Sequence, residues 1–181
     1  PKSAKTFLAR LEGMLAKSGG RIATVSGRYY AMDRDKRWDR VARAYTALVF
    51  SSGLHADSAE EAVDAAYGRA ESDEFIQPTV ILEDGEPVGP IQDGDAVIFF
   101  NYRADRARQL TRAVTDQRFP DFPRPKPPDV HFVCMTQYKN EFGLPTPFPP
   151  PALTPLPADL CAVPAHHTPP TPATHTPHHP T

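Results

Sequence analysis

The sequence predicts an α/β fold in which helices pack on a mixed sheet, followed by a proline-rich tail. Apolar residues recur at helical spacing in several segments, and short β-branched runs stand between those segments. More than half of the 22 prolines lie from Pro145 onward. The chain has 181 residues, enough to bury one ordinary hydrophobic core. We therefore expect a domain over residues 1–150 and a tail over residues 151–181.

The first half of the chain predicts three helices and a strand. The predicted helices are Lys2–Lys17, Asp35–Phe50 and the segment from Ser58 to about Arg69. The first is amphipathic, with Phe7, Leu11 and Met14 on its apolar face, and the Gly19-Gly20 pair ends it. The third opens at a capping box formed by Ser58 and Glu61. The run Arg21–Val25 predicts a strand that leads into a loop.

The second half predicts three strands and one further helix. The predicted strands are Phe75–Leu82, Ala96–Asn101, which we expect to be buried, and Val130–Met135. Turn residues separate the first two strands. Ala104–Thr115 predicts a helix whose residues Ala107, Leu110 and Val114 face inward.

The tail over residues 151–181 has a different composition from the rest of the chain. It is rich in proline, histidine and threonine and contains no lysine or arginine. Because such a segment buries too little apolar area to offset its chain entropy, we predict that it is disordered. A shifted reading frame or a truncated gene would account for it. A histidine metal site is an alternative on composition, although the prolines prevent the histidines from sharing a helical face.

Charge and composition exclude several classes of function. There are 20 Lys+Arg against 22 Asp+Glu, so the chain lacks the basic excess that broad nucleic-acid binding requires. Cys134 and Cys161 form neither a disulfide framework nor a CxxC pair, which favours a reducing cytoplasm. Apolar runs such as Ala96–Phe100 are too short to span a membrane.

Two segments concentrate arginine where a predicted strand meets a predicted helix. The first, SGRYYAMDRDKRW, carries Arg28 and Arg34 next to a helix N-terminus, which favours anions. The second, AVIFFNYRADRAR, places Arg103 and Arg106 in the first turn of a helix, where both guanidinium groups can point into one pocket. Since arginine binds phosphate and carboxylate oxygens in bidentate fashion, the pattern indicates a site for a small anion.

A simpler interpretation of both segments is a solvated charged surface. In that case Asp33, Asp35 and Asp105 pair with the neighbouring basic residues. Two such clusters, each at a strand-to-helix junction, favour a ligand site, because ligands in α/β folds bind at those ends.

The same two segments resemble signatures of the cofactor-independent phosphoglycerate mutases, and the similarity extends over about residues 1–150. PKSAKTFLARLE, DEFIQPTVI and FVCMTQY also stand in the family's order. The resemblance implies an isomerase that interconverts 3-phosphoglycerate and 2-phosphoglycerate in glycolysis and gluconeogenesis. It implies an inserted substrate-binding domain here, with Arg28, Arg34, Arg103 and Arg106 as the substrate contacts.

The resemblance also implies what this chain lacks. The family's phosphorylated serine, an Arg-Asp substrate pair and metal ligands precede the matching region, while a lysine and further metal ligands follow it. We therefore expect no catalytic residue and no metal ligand here, although the intact enzyme holds two Mn2+ or other divalent ions. We expect an inactive, monomeric, cytoplasmic fragment that binds phosphoglycerate but neither nucleic acid nor membrane. A non-catalytic anion-binding module is one alternative. An interaction protein that acts through the proline-rich tail is a second, but it is disfavoured because the tail has no repeated PxxP unit with a basic flank.

Overall fold

The computed structural model describes residues 2–148, and the predictions for residues 151–181 lie outside that range. It confirms the predicted α/β class with a mixed sheet and packed helices. In chain order the helices and strands are α1 (Ala4–Ser18), β1 (Thr24–Val25), α2 (Arg28–Ala31), α3 (Trp38–Phe50), β2 (Leu54–Ala56), α4 (Ala59–Gly68), β3 (Thr79–Glu83), β4 (Glu86–Pro87), β5 (Ala96–Phe99), α5 (Ala104–Thr115) and β6 (His131–Cys134).

The strands form two sheets. In the first, β3 lies between antiparallel β1 and parallel β2, and a tight hairpin adds β4 to its end. Gly85 in that hairpin has φ +83, a left-handed conformation that glycine adopts without strain. In the second sheet β5 and β6 run parallel, with Ala96 opposite His131 and Phe99 opposite Cys134.

The largest hydrophobic core lies between α3, α5 and β6. Tyr45 of α3 is fully buried there, and it shares the cluster with Phe132 of β6. Ala107, Leu110 and Val114 of α5 are buried in the same cluster, as their helical spacing predicted. Burial of this face fixes the orientation of α5, which carries Arg106 in its first turn and begins directly after Arg103.

Helix α1 forms as predicted, but its apolar face is only partly covered. Leu8 packs against the cluster around Val63, whereas Phe7 and Met14 remain 68% and 57% exposed. The N-terminus of the helix is bound by a residue 70 positions away in sequence, since the Asp73 carboxylate accepts a 2.9 Å hydrogen bond from the Ser3 backbone N–H. Among residues 2–148, no helix has both the length and the apolar character needed to cross a membrane.

Several predicted boundaries were wrong. The helix predicted from Asp35 begins at Trp38, because Lys36 adopts a left-handed φ of +57 and interrupts the helical backbone before it. The strand predicted over Ala96–Asn101 ends at Phe99. It is not buried, since Ile98 is 65% exposed and β6 is its one partner strand among residues 2–148.

Candidate functional site

The first arginine segment is attached to the turn and irregular chain that precede β3. The Gly27 N–H donates to the Ile76 carbonyl over 2.8 Å, and the Tyr29 N–H donates to the Glu74 carbonyl over 3.0 Å. Arg28, in the first turn of α2, donates through Nη2 to the Glu74 carboxylate at 2.7 Å. Backbone and side-chain bonds to the same short stretch therefore position Arg28.

The loop that carries Arg34 is organised around the buried carboxylate of Asp33. One Asp33 oxygen accepts from the backbone N–H groups of Asp35 and Arg37 at 3.0 and 2.9 Å. Its other oxygen lies 3.5 Å from Nη1 of Arg40, whose guanidinium group stacks 3.8 Å above the Tyr29 ring. Asp33 is therefore not part of the solvated charged surface that the simpler interpretation expected, because its carboxylate is buried and bonds mainly to backbone N–H groups. These bonds hold the loop in shape.

The second arginine segment is fixed by Tyr138, which is 1% exposed. Its hydroxyl group lies 2.7 Å from the Phe99 carbonyl and 2.6 Å from the Asn101 carbonyl, at the end of β5. The chain then turns into α5, with Arg103 as the residue that precedes the first helical turn. A buried hydroxyl group therefore determines where the strand ends and where Arg103 leaves the sheet.

We predict that Tyr138→Phe lowers the free energy of unfolding by about 1–2 kcal/mol, because the hydrogen bond from this buried hydroxyl group to the carbonyl groups at the end of β5 is lost. Urea unfolding followed by circular dichroism measures this change. Tyr102→Phe is the matched control, since Tyr102 is 61% exposed and surface changes usually stay within about 0.5 kcal/mol. Equal stability of wild type and Tyr138→Phe would show that this hydroxyl group does not anchor the junction.

The two arginine segments meet at two points. The Asp105 carboxylate accepts from Nε of Arg103 at 3.1 Å and from Nη1 of Arg34 at 3.3 Å, although Arg34 and Asp105 are 71 positions apart. Arg106 donates through Nη1 to the Met32 carbonyl at 3.2 Å, a contact across 74 positions. Both contacts join the start of α5 to the loop that follows α2.

The remaining arginine, Arg28, pairs with Glu74, and the carboxyl groups of Glu74 and Asp105 both have lowered pKa values. The hydrogen bond from Arg28 lowers the pKa of the Glu74 carboxyl group, and the charge of Arg106 lowers it further, against an opposing effect of desolvation. The hydrogen bond from Arg103 lowers the pKa of Asp105, and the bond from Arg34 adds to this effect. Both carboxylates are therefore charged at neutral pH.

Arg34 and Arg103 therefore share the Asp105 carboxylate, whereas Arg106 bonds to the Met32 carbonyl and Arg28 to Glu74. Convergence of all four arginines on one surface stays a prediction. Three of the four arginine side chains are exposed: Arg28 by 53%, Arg34 by 46% and Arg103 by 64%. Arg103 and Arg106 have different partners, so their common pocket stays a prediction. Sequence analysis did not single out Glu74 or the Met32 carbonyl, and only Asp105 stood close enough in sequence, two positions after Arg103, to suggest its contact.

Other parts of the described structure offer less to an anionic ligand. A cavity of about 330 Å³ lies between β1, α3 and β5, but its lining is mainly apolar, with Leu48 and Phe99 among the lining residues and no arginine. Burial raises the pKa of the Cys134 thiol to about 11, so this group is protonated at neutral pH. Within residues 2–148 no group of three or more His, Cys, Asp or Glu side chains could hold a metal ion.

Comparison with known proteins identifies the family. The family profile described as BPG-independent PGAM N-terminus matches residues 1–140. The chain belongs to this family. It is 53% identical over 156 residues to the 2,3-bisphosphoglycerate-independent phosphoglycerate mutase of Desulforudis audaxviator, covering 85% of this chain and 31% of the relative.

Two further comparisons agree with this family. The Clostridium kluyveri mutase of the same description is 58% identical over 139 residues, covering 76% of this chain and 27% of that protein. A crystal structure of Leishmania mexicana phosphoglycerate mutase at low cobalt concentration superposes with a TM-score of 0.79 at 34% identity, covering 84% and 30% of the two chains. The chain therefore spans about a third of the length of the mutases that it matches.

Proposed function

We propose that this chain is the phosphoglycerate-binding part of a 2,3-bisphosphoglycerate-independent phosphoglycerate mutase, which interconverts 3-phosphoglycerate and 2-phosphoglycerate. Residues 1–150 would form part of its inserted substrate-binding domain. The observation that carries the proposal is the contact of Arg34 and Arg103 with one carboxylate, because it joins the two arginine segments in a chain that belongs to this family.

Charge and donor geometry support an anionic substrate at this surface. Arg28 pairs with the Glu74 carboxylate, Arg34 and Arg103 share the Asp105 carboxylate, and Arg106 bonds to a backbone carbonyl group. The four guanidinium groups therefore carry more positive charge than their two carboxylate partners neutralise. Each guanidinium group offers planar pairs of N–H donors that match phosphate and carboxylate oxygens. Arg28, Arg34, Arg103 and Arg106 would hold and orient the substrate, and such positioning supplies part of the rate enhancement of a group transfer.

The residues described here do not fit the metal chemistry of the reaction, since residues 2–148 contain no cluster of metal-binding side chains. We propose that the nucleophilic serine and two Mn2+ ions belong to the part of the family's structure that this chain does not span. Cobalt was present in the crystal of the Leishmania mexicana mutase. We further propose a monomeric cytoplasmic protein with no affinity for nucleic acid or membranes, and light scattering of the purified chain tests the monomer.

Calorimetric titration of the chain with 3-phosphoglycerate tests the binding role. Arg103→Ala is expected to weaken binding by about 1.5–3 kcal/mol, roughly ten- to 150-fold, the range for hydrogen bonds to charged groups. Arg10→Ala is the matched control, because Arg10 is exposed on α1 and belongs to neither arginine segment. Equal affinities for wild type and Arg103→Ala, or no binding by either, would contradict the assignment.

A coupled enolase assay tests whether this chain binds the substrate without catalysing the reaction. The 181-residue polypeptide is expected to show no conversion of 3-phosphoglycerate, with or without added manganese, because binding groups alone do not transfer a phosphoryl group. Turnover that Arg28→Ala abolishes would overturn this expectation and would place catalytic residues within the chain.

A further inference from the structure

Asp105 stands between two arginines that come from different parts of the chain. Its Oδ1 accepts from Nε of Arg103 at 3.1 Å, and its Oδ2 accepts from Nη2 of Arg103 and from Nη1 of Arg34, both at 3.3 Å. Among the described residues, Asp105 is the one side chain that accepts a hydrogen bond from either guanidinium group. The carboxylate is therefore placed to fix both arginines relative to each other.

Asp105 leaves donors available on both guanidinium groups. A guanidinium group carries five N–H donors in a rigid plane. Arg103 donates to Asp105 through its Nε/Nη2 edge, so its Nη1/Nη2 edge remains available. Arg34 donates to Asp105 through Nη1 alone, so its Nε/Nη2 edge remains available. Because each arginine retains a two-donor edge, the carboxylate can hold both side chains without competing for every donor that an anionic ligand needs.

We propose that Asp105 is a positioning residue of the phosphoglycerate site, which sets the spacing and orientation of Arg34 and Arg103. This inference rests on the proposed function. Both arginine side chains are about half exposed or more, so without a common partner each would sample many rotamers. A ligand that bridges the two arginines would then have to order both side chains, and the entropy lost would weaken its binding. A small ion that contacts one arginine would lose less affinity.

Asp39 provides a control that separates a purely structural role of Asp105 from the positioning of the two arginines. Asp105 also lies in the first turn of α5, where a negative charge stabilises the helix N-terminus. Asp39 occupies the same position in α3, two residues after Arg37, and its carboxylate lies 3.6 Å from Nε of that arginine. Asp39→Asn therefore removes the same helix charge and a local ion pair, but at a carboxylate that accepts no hydrogen bond from Arg34 or Arg103.

The experiment compares affinities for 3-phosphoglycerate and inorganic phosphate by calorimetry. Removal of a negative charge strengthens the binding of both anions, and that of 3-phosphoglycerate at least as much, because it carries the larger negative charge. A fall in the ratio of the two affinities therefore reports lost positioning. Asp105→Asn is expected to reduce the preference for 3-phosphoglycerate about tenfold, because two side chains must be ordered again on binding. Asp39→Asn should leave the preference unchanged, and Asp105→Glu should restore part of it. An unchanged or increased preference in Asp105→Asn would overturn the proposal.

An NMR measurement tests the same proposal without a ligand. The Arg103 Nε–H signal should be protected from solvent exchange in the wild-type chain. It should lose that protection in Asp105→Ala, which has no acceptor oxygen, but not in Asp39→Ala. Protection that is missing in wild type, or that survives in Asp105→Ala, overturns the positioning role. A wild-type chain that shows the protected signal but binds neither anion would instead support the positioning of the arginines and refute the proposed function.

Discussion

Replacing Asp33 with alanine is expected to lower the free energy of unfolding by about 3 kcal/mol, the lower end of the range for removing one member of a buried ion pair. Asp33 is 4% exposed, and its carboxylate accepts from the N–H groups of Asp35 and Arg37. Its loss would also leave Arg40, 18% exposed at its side chain, without its carboxylate partner. Urea unfolding of the variant measures the effect.

Two further variants make the Asp33 prediction specific. Asp39→Ala removes a carboxylate that is 70% exposed and should change stability by less than about 0.5 kcal/mol. Asp33→Asn keeps an acceptor oxygen and should lose less than Asp33→Ala. If Asp33→Ala were no less stable than Asp39→Ala, the loop that carries Arg34 would not depend on the internal carboxylate.

Replacing Gly27 with alanine is expected to cost about 2–3 kcal/mol, the usual range for overpacking a filled site. A Cβ atom at Gly27 would lie 2.3 Å from the Glu74 carbonyl oxygen and 2.7 Å from the Ile76 nitrogen, and these backbone atoms cannot move aside cheaply. The φ of Gly27 is −69, so the cost comes from this close approach and not from its own backbone conformation. Thermal unfolding followed by circular dichroism measures it.

Gly13→Ala serves as the opposite control. Gly13 is exposed in the middle of α1, and nothing lies within 4 Å of a Cβ atom placed there. Alanine should therefore stabilise the chain by about 0.5–1 kcal/mol through helix propensity. A Gly27→Ala chain as stable as wild type would show that the segments around Gly27 and Glu74 do not pack as closely as described.

Local sequence signals predicted the four longer helices, although not the four-residue α2 or the start of α3. The bounds of α5 agree with the prediction, because its apolar residues recur at helical spacing and this pattern stops at both ends of the helix. The capping box at Ser58 is present: the Glu61 N–H donates to the Ser58 hydroxyl oxygen at 3.1 Å, while the Glu61 carboxylate accepts from the Asp57 N–H at 2.8 Å. Signals of this kind lie within a few residues of the structure that they specify.

The elements that were missed depend on distant partners. Strands β2 and β4 contain three and two residues, too few for an alternating pattern, and both form by pairing with β3. Glu74 could not be assigned to Arg28 from sequence, because 46 positions separate them. The arginines themselves were predicted from their place between strand and helix and from the family resemblance, whereas their carboxylate and carbonyl partners required the fold.

A crystal structure of the chain with bound 3-phosphoglycerate tests the central claim most directly. The account predicts ligand oxygens within about 3 Å of the guanidinium nitrogens of Arg34 and Arg103, the distance for charge-assisted hydrogen bonds, with Asp105 still between the two arginines. Contacts with Arg28 and Arg106 should complete the site. Phosphoglycerate bound elsewhere on residues 2–148, with these four arginines free of it, would contradict the assignment.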